Sequence, residues 1–144
     1  MDITLYFNPV DFGLPDQEEK FSRDTLGFTI LKESRKADRT RKGEIKVALI
    51  GVPYESEPGN AGVARAPGEI RKHLYRLSCP EGFHGILDLG DLKPGKNRKD
   101  LFFALRDIVE YLNDKEVVPV ILGGGQDISI GIAASFREDK RFVL

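Results

Sequence analysis

From Lys46 onward the chain alternates two kinds of apolar spacing. "KVALIGVP" (46–53) is a short continuous run, rich in β-branched residues and closed by Gly51 and Pro53. "GILDLGD" (85–91) and "VVPVILGG" (117–124) repeat the theme. Such runs predict strands buried on both faces, near 46–52, 85–89 and 117–122. The segments between them have helical spacing. "APGEIRKHLYRLS" carries Pro67 near its start, where a missing N–H costs nothing, and sets Ile70, Leu74 and Leu77 on one face. "RKDLFFALRDIVEYLND" spaces Leu101, Leu105, Ile108, Val109 and Leu112 in the same way, and "DISIGIAASF" opens at Asp127, a good N-cap. Helices are therefore expected near 67–77, 99–113 and 127–136. Strand–helix alternation of this kind defines an α/β fold, a parallel sheet with right-handed crossovers and helical cover.

Residues 1–45 read differently, as a polar N-terminal extension ahead of an α/β unit over 46–144. They hold Pro9, Pro15 and the mixed-charge run "KESRKADRTRKGE" from Lys32 to Glu44, which reads as a solvated loop or frayed helix. "TLGFTIL" (25–31) suits a short strand. At the other end, "KRFVL" (140–144) looks like the opening of a fourth strand of the regular series. Three strands and a stub make a thin sheet, so the chain is read as the front part of a larger α/β domain. An apolar edge left open on such a sheet is expected to drive self-association into a homo-oligomer.

Composition narrows the class. With 22 basic and 23 acidic side chains, the formal charge of −1 argues against nucleic acid or an anionic membrane as partner. No run approaches the ~18 apolar residues of a membrane span, and "MDITLYFNPVD" lacks the plan of a secretory signal. A single cysteine, Cys79, excludes an intrachain disulfide. A cytoplasmic location is the expectation.

Ligands of open parallel sheets gather at the carboxyl ends of the strands. Here those ends are "GVPYESEPGNAG", "DLGDLKPGKN" and "GGGQDIS". The glycine triplet 123–125 invites a phosphate, but neither G-x-G-x-x-G nor G-x-x-x-x-G-K-[ST] is present, and Asp127 would occupy the helix dipole that a phosphate needs. Cys79 precedes Pro80 with nothing to lower its thiol pKa. His73 and His84 read as surface or satisfied histidines. H-x-x-x-H, D-x-H and C-x-x-C are all missing. Asp88 and Asp91 read as loop-forming acids at a strand end, accepting backbone N–H bonds rather than holding a metal.

In order, "IGVPYE", "GNAGVARAPGEIRKHLYRL", "LDLGD" and "VVPVILGGGQDIS" resemble the front half of the ureohydrolases, the arginase, agmatinase and formimidoylglutamase enzymes. Their pattern is I-G-x-P, G-x-P-G-A-x-x-G-P-x-x-I-R-x-x-L, D-x-G-D and P-[VIL]-x-L-G-G-[DG]-H. The resemblance covers about residues 46–136, and the G-G-G form is most similar to the formimidoylglutamase branch.

It implies a three-layer, arginase-like fold with a mainly parallel sheet and helices on both faces, of which this chain carries three to four strands. It also implies oligomers, two manganese ions that activate a hydroxide, and hydrolysis of a small amidino or guanidino substrate. The departures bear on the site. Gln126 stands where the family has a metal-ligating histidine, and an amide is a weak neutral donor for manganese. Asn60, Ala61 and Val63 replace Arg, Pro and Ala, and Ala66 replaces the Gly before Pro67. The family's remaining ligands, in D-A-H-x-D and D-x-D, belong to later strands.

The chain by itself is therefore expected to hold no catalytic residue and no metal, with Asp127 the one weak candidate beside Gln126. For the parent protein two readings stand: an amidino C–N hydrolase, or a catalytically silent relative that serves ligand binding or assembly. An intact D-A-H-x-D beyond Leu144 would distinguish them.

Overall fold

A computed structural model describes residues 2–10, 21–34, 44–55 and 61–136, with backbone alone at 31–34. The segment "KRFVL" and most of the charge run lie outside the described residues. Among the described residues four strands form one sheet: β1 (Phe7–Asn8), β2 (Val47–Gly51), β3 (Ile86–Leu92) and β4 (Val118–Leu122), in the order β1-β3-β2-β4. β2 pairs in parallel with both β3 and β4, as the buried-run pattern predicts, while β1 adds an antiparallel edge against β3.

Four α-helices among the described residues cover the sheet: α1 (Leu26–Ser34), α2 (Ala66–Leu74), α3 (Arg98–Asp114) and α4 (Ile128–Ala133). Residues alternate faces along a strand, so the two core clusters identify the layers. On one face Ala48, Ile50 and Leu87 pack with Leu101, Leu105, Ile108 and Leu112 of α3 and Ile128 of α4. On the other, Leu49, Ile86 and Leu122 pack with Ile30 of α1 and with Tyr75, the residue that follows α2. The result is a three-layer α/β arrangement. The polar segment ahead of residue 46 joins it: Ile3 and Phe7 are buried in the α3-side core.

The apolar face read for α3 is the one the structure buries. Asn97 opens the helix with a capping box: its side chain accepts from the Asp100 N–H, and the Asp100 carboxylate accepts from the Asn97 N–H. At the other end, Val117 N–H donates to the Leu112 carbonyl and Glu116 N–H to that of Asn113, a Schellman closure with Glu116 at φ 59°. That left-handed position suits glycine. Glu116→Gly is expected to stabilise the fold by ~0.5–1 kcal/mol, read as a raised urea midpoint.

Three expectations are corrected. "TLGFTIL" is not a strand: apart from an isolated bridge at Thr25, it forms the start of α1. Its β-branched residues favour extension, but the sheet face needs cover, and Leu26 and Ile30, one turn apart, supply it. α2 is rotated from its predicted face: Ile70 and Leu77 are exposed, and Pro67, Arg71 and Tyr75 point inward. β4 is not buried on both faces. Its Val118 and Val120, which share one face, are 59% and 37% exposed, because among the described residues α1 lies over β3 on that side and leaves the start of β4 uncovered.

Candidate functional site

The rim forms where β2 and β4 end side by side and the chain turns into loops. Gly123 and Gly124 sit at φ 76° and 83° and carry the chain sharply off β4. A Cβ on Gly123 would lie 2.6 Å from Cδ of Pro67, in the first turn of α2. The triplet is therefore a close-packed turn that seats β4 against α2. Gln126 follows it with its side chain exposed, and its carbonyl accepts from the backbone N–H and hydroxyl of Ser129.

Asp127 begins α4, but its side chain makes no cap hydrogen bond, contrary to the N-cap expectation. It faces α3 instead. Arg98 Nη2 lies 3.0 Å from Oδ2, outside hydrogen-bonding alignment, and both carboxylate oxygens are buried with no hydrogen-bond partner. The pull of a half-exposed guanidinium on α3 outcompetes the weak dipole of a six-residue helix.

Behind the rim lies a buried ionic network that sequence reasoning did not foresee. Arg71 grips Asp88 with two parallel bonds, Nε to Oδ2 at 2.7 Å and Nη2 to Oδ1 at 2.9 Å. Its Nη1 reaches Asp91 Oδ1 at 2.5 Å, and Nη2 also donates to the Gly90 carbonyl at 3.1 Å. The Tyr75 hydroxyl donates to Asp88 Oδ2 at 2.6 Å, and the Gly90 N–H to Oδ1 at 2.8 Å.

Asp88 and Asp91 therefore belong within strand β3 and chiefly pair with a guanidinium. The loop role expected for them survives only in the Gly90 contact. In a regular strand, residues three apart point to opposite faces. A bulge between the pairs Leu49–Asp88 and Gly51–Asp91 inserts one residue, and Gly90 at φ 99° accommodates it. Both aspartates then face Arg71. A glycine between two acids in an apolar strand was the available signal.

Burial opposes the charge on Arg71, but its bonds to Asp88 and Asp91 outweigh that and hold it ionised above its ordinary range. Burial first, then the negative charge of Asp88, pushes the Tyr75 phenol well above its usual value near 10. The fold thus retains a proton that the unfolded chain releases above about pH 10. The stability this provides is complete below pH 10 and declines as pH rises beyond it, by up to ~1.4 kcal/mol per unit. Urea midpoints are expected to fall between pH 8 and about pH 11, and to fall less steeply in Tyr75→Phe.

The other sequence candidates stay apart from the rim. Cys79 receives a 3.5 Å contact from the Thr29 hydroxyl, and His84 Nδ1 lies 2.6 Å from the Gly82 carbonyl. Among the described residues no three His, Cys, Asp or Glu side chains converge on a point. No helix among them is long and apolar enough to cross a membrane.

A mixed sheet with helices on both faces, glycine turns at its carboxyl rim and an Arg–Asp network beneath them defines part of a three-layer α/β scaffold. The sequence profile of the Arginase family matches residues 45–144, and the chain belongs to that family. It is 27% identical over 125 residues to a formimidoylglutamase of Salmonella paratyphi C, covering 83% of this chain and 37% of that enzyme. A Citrobacter koseri formimidoylglutamase is 28% identical over 98 residues, 65% of this chain and 31% of the relative. The chain thus spans about a third of the length of the relatives it matches, over their N-terminal part.

Two solved structures share the fold. Trypanosoma cruzi formiminoglutamase with Mn2+ superposes with a TM-score of 0.61 at 21% identity, over 74% of this chain and 39% of that one. Agmatine ureohydrolase of Thermoplasma volcanium gives 0.59 at 20%, over 85% and 41%.

The rim residues do not fit a manganese pair. Gln126 offers a neutral, exposed amide, and Asp127, the carboxylate next to it in the chain, lies against a guanidinium. Manganese sites call for several anionic or imidazole donors around one point.

Proposed function

We propose that this chain is the N-terminal part of a hydrolase of the formimidoylglutamase type, one that cleaves a linear amidino C–N bond in a small substrate. The supporting observation is the 27% identity over 125 residues to a formimidoylglutamase, together with the close packing of the G-G-G turn on Pro67 of α2. In this reading the chain supplies scaffold rather than reacting groups. The Arg71 network anchors α2 to β3, Pro67 of α2 holds the glycine turn, and the turn presents Gln126 at the position of a metal-ligating histidine. The metal-dependent chemistry falls to residues outside this chain, and the 144 residues alone are inactive.

The test is hydrolysis of formimidoyl-glutamate by the native protein isolated from its source, followed as appearance of free glutamate. Turnover supports the hydrolase. A folded native protein without turnover on this or other amidino and guanidino substrates overturns it.

Gln126 favours a second reading, a silent relative that keeps the fold for ligand binding or assembly. In a native protein that carries D-A-H-x-D, the hydrolase reading expects Gln126→His to tighten manganese binding by about ten-fold or more, on the order of 1.4 kcal/mol. The silent relative expects no gain. Self-association belongs to the same proposal and rests on the exposed apolar β4 edge. A cytoplasmic location is likewise part of it.

A further inference from the structure

The free edge of β4 has two unlike halves. Val118 N–H donates to the Lys46 carbonyl, and the Leu122 carbonyl accepts from Val52 N–H. Even-numbered residues of β4 therefore bond to β2, and the backbone groups of Val117, Pro119 and Ile121 point the other way. Across a trans peptide the N–H points opposite to the carbonyl before it, so Gly123 N–H points outward as well. Among the described residues no strand lies on that side. Pro119 has no N–H, and that of Val117 is spent on the Leu112 carbonyl. The first half of the edge thus offers carbonyls alone, while the second half also offers the N–H groups of Ile121 and Gly123. Residues 117–123 carry no charge, so the edge lacks the lysine or acid that commonly guards against pairing.

A strand with acceptors at one end and donors at the other is complementary to itself turned end for end. We propose that β4 pairs antiparallel with β4 of a second copy, about a two-fold axis at Val120, so that one sheet runs through both chains. Centred there, the register overlaps the whole of each strand, Val118–Leu122. Ile121 N–H then meets the Pro119 carbonyl of the second copy, and Gly123 N–H that of Val117, with the same bonds returned by symmetry. The groups left over are carbonyls, which go unpaired at less cost than an N–H. Side chains fit the same register. Val120 faces its own copy, a β-branched pair, and Val118 faces Leu122, which covers the apolar surface that α1 leaves open. On the opposite face, the second copy closes a groove of about 450 Å³ with Val109, Ile121, Ile132 and Phe136 in its walls. This interface is a specific form of the self-association proposed above and rests on it; the hydrolase reading does not enter.

Light scattering of the 144-residue chain is expected to give the mass of a dimer. Val120→Lys sets two like charges face to face on the axis, from a position already 37% exposed. It is expected to raise the dissociation constant by about ten-fold or more. The register is read by oxidising single-cysteine chains in which Cys79, the one native thiol, is replaced by Ser. Val120→Cys lies at a non-hydrogen-bonded pair, where Cβ atoms are ~4.5–5.5 Å apart and a disulfide needs little adjustment. It is expected to give a covalent dimer on a denaturing gel. Val118→Cys, although the more exposed, faces Leu122 and is expected to run as a monomer. If Val120→Lys does not fold, the two cysteine variants, which exchange one small side chain for another, decide the matter. A folded chain that stays monomeric at high concentration would overturn both this interface and the self-association beneath it. A dimer in which Val118→Cys cross-links as readily as Val120→Cys, or in which neither does, would overturn the interface and leave self-association standing.

Discussion

Replacing Arg71 by Met is expected to lower folding stability by about 3–5 kcal/mol, the largest loss among the polar positions of this fold. The side chain is 3% exposed and carries four hydrogen bonds, two of them to a carboxylate that is equally buried. Met fills a similar volume, so the loss is electrostatic rather than a cavity. It leaves the Asp88 charge in the interior with only the Tyr75 hydroxyl and the Gly90 N–H to solvate it. A domain of this kind has ~5–15 kcal/mol in all, so the variant sits near the threshold of folding. Urea denaturation followed by circular dichroism measures the effect.

The double variant Arg71→Met with Asp88→Leu separates the causes. Removing both charges is expected to recover part of the loss, since a buried pair gains little over apolar residues of its size. Recovery stays incomplete because the Tyr75 hydroxyl and the Gly90 N–H then lose their acceptor. Full stability in the single variant would show that the network carries no weight.

Gly123→Ala is expected to cost about 2–5 kcal/mol, combining a left-handed backbone with overlap in a packed site. At φ 76° a side chain is strained in any case, and the new Cβ would sit 2.6 Å from Cδ and 2.8 Å from Cγ of Pro67. The proline ring is rigid and buried, so relief requires β4 and α2 to move apart. Gly68 provides the contrast one residue past Pro67. Its Cβ would meet nothing within 4 Å, and it lies inside α2. Gly68→Ala is expected to stabilise by ~0.5–1 kcal/mol, the helical penalty of glycine removed. Opposite signs at two glycines that flank one proline, one in space and one in sequence, are a stringent check, read as thermal midpoints. Equal effects at both would refute the packing role of the turn.

Much of the architecture was legible because burial leaves a periodic trace. The runs at 46–53, 85–91 and 117–124 became three parallel-paired strands, and the 3.6-residue spacing of Leu101, Leu105, Ile108, Val109 and Leu112 became the buried face of α3. The motif order was legible as well, and it led to the family to which residues 45–144 belong. The same reading failed where hydrophobicity was not the deciding force. α2 turns Arg71 inward and leaves Ile70 and Leu77 in solvent because two aspartates of β3 await a guanidinium. No count of apolar residues contains that information.

By itself the sequence determined the α/β class, the three parallel-paired strands and the principal helix. These follow from local spacing and residue identity, which a single chain carries in full. Only the tertiary structure decided that 25–31 is helical, that Phe7 and Asn8 form an edge strand, that a bulge at Gly90 brings Asp88 and Asp91 to one face, and that Asp127 answers to Arg98. Each depends on which groups distant in the chain come to share one low-dielectric space. There charge pairing and the need to cover a sheet face outweigh the few tenths of a kilocalorie by which local propensity speaks.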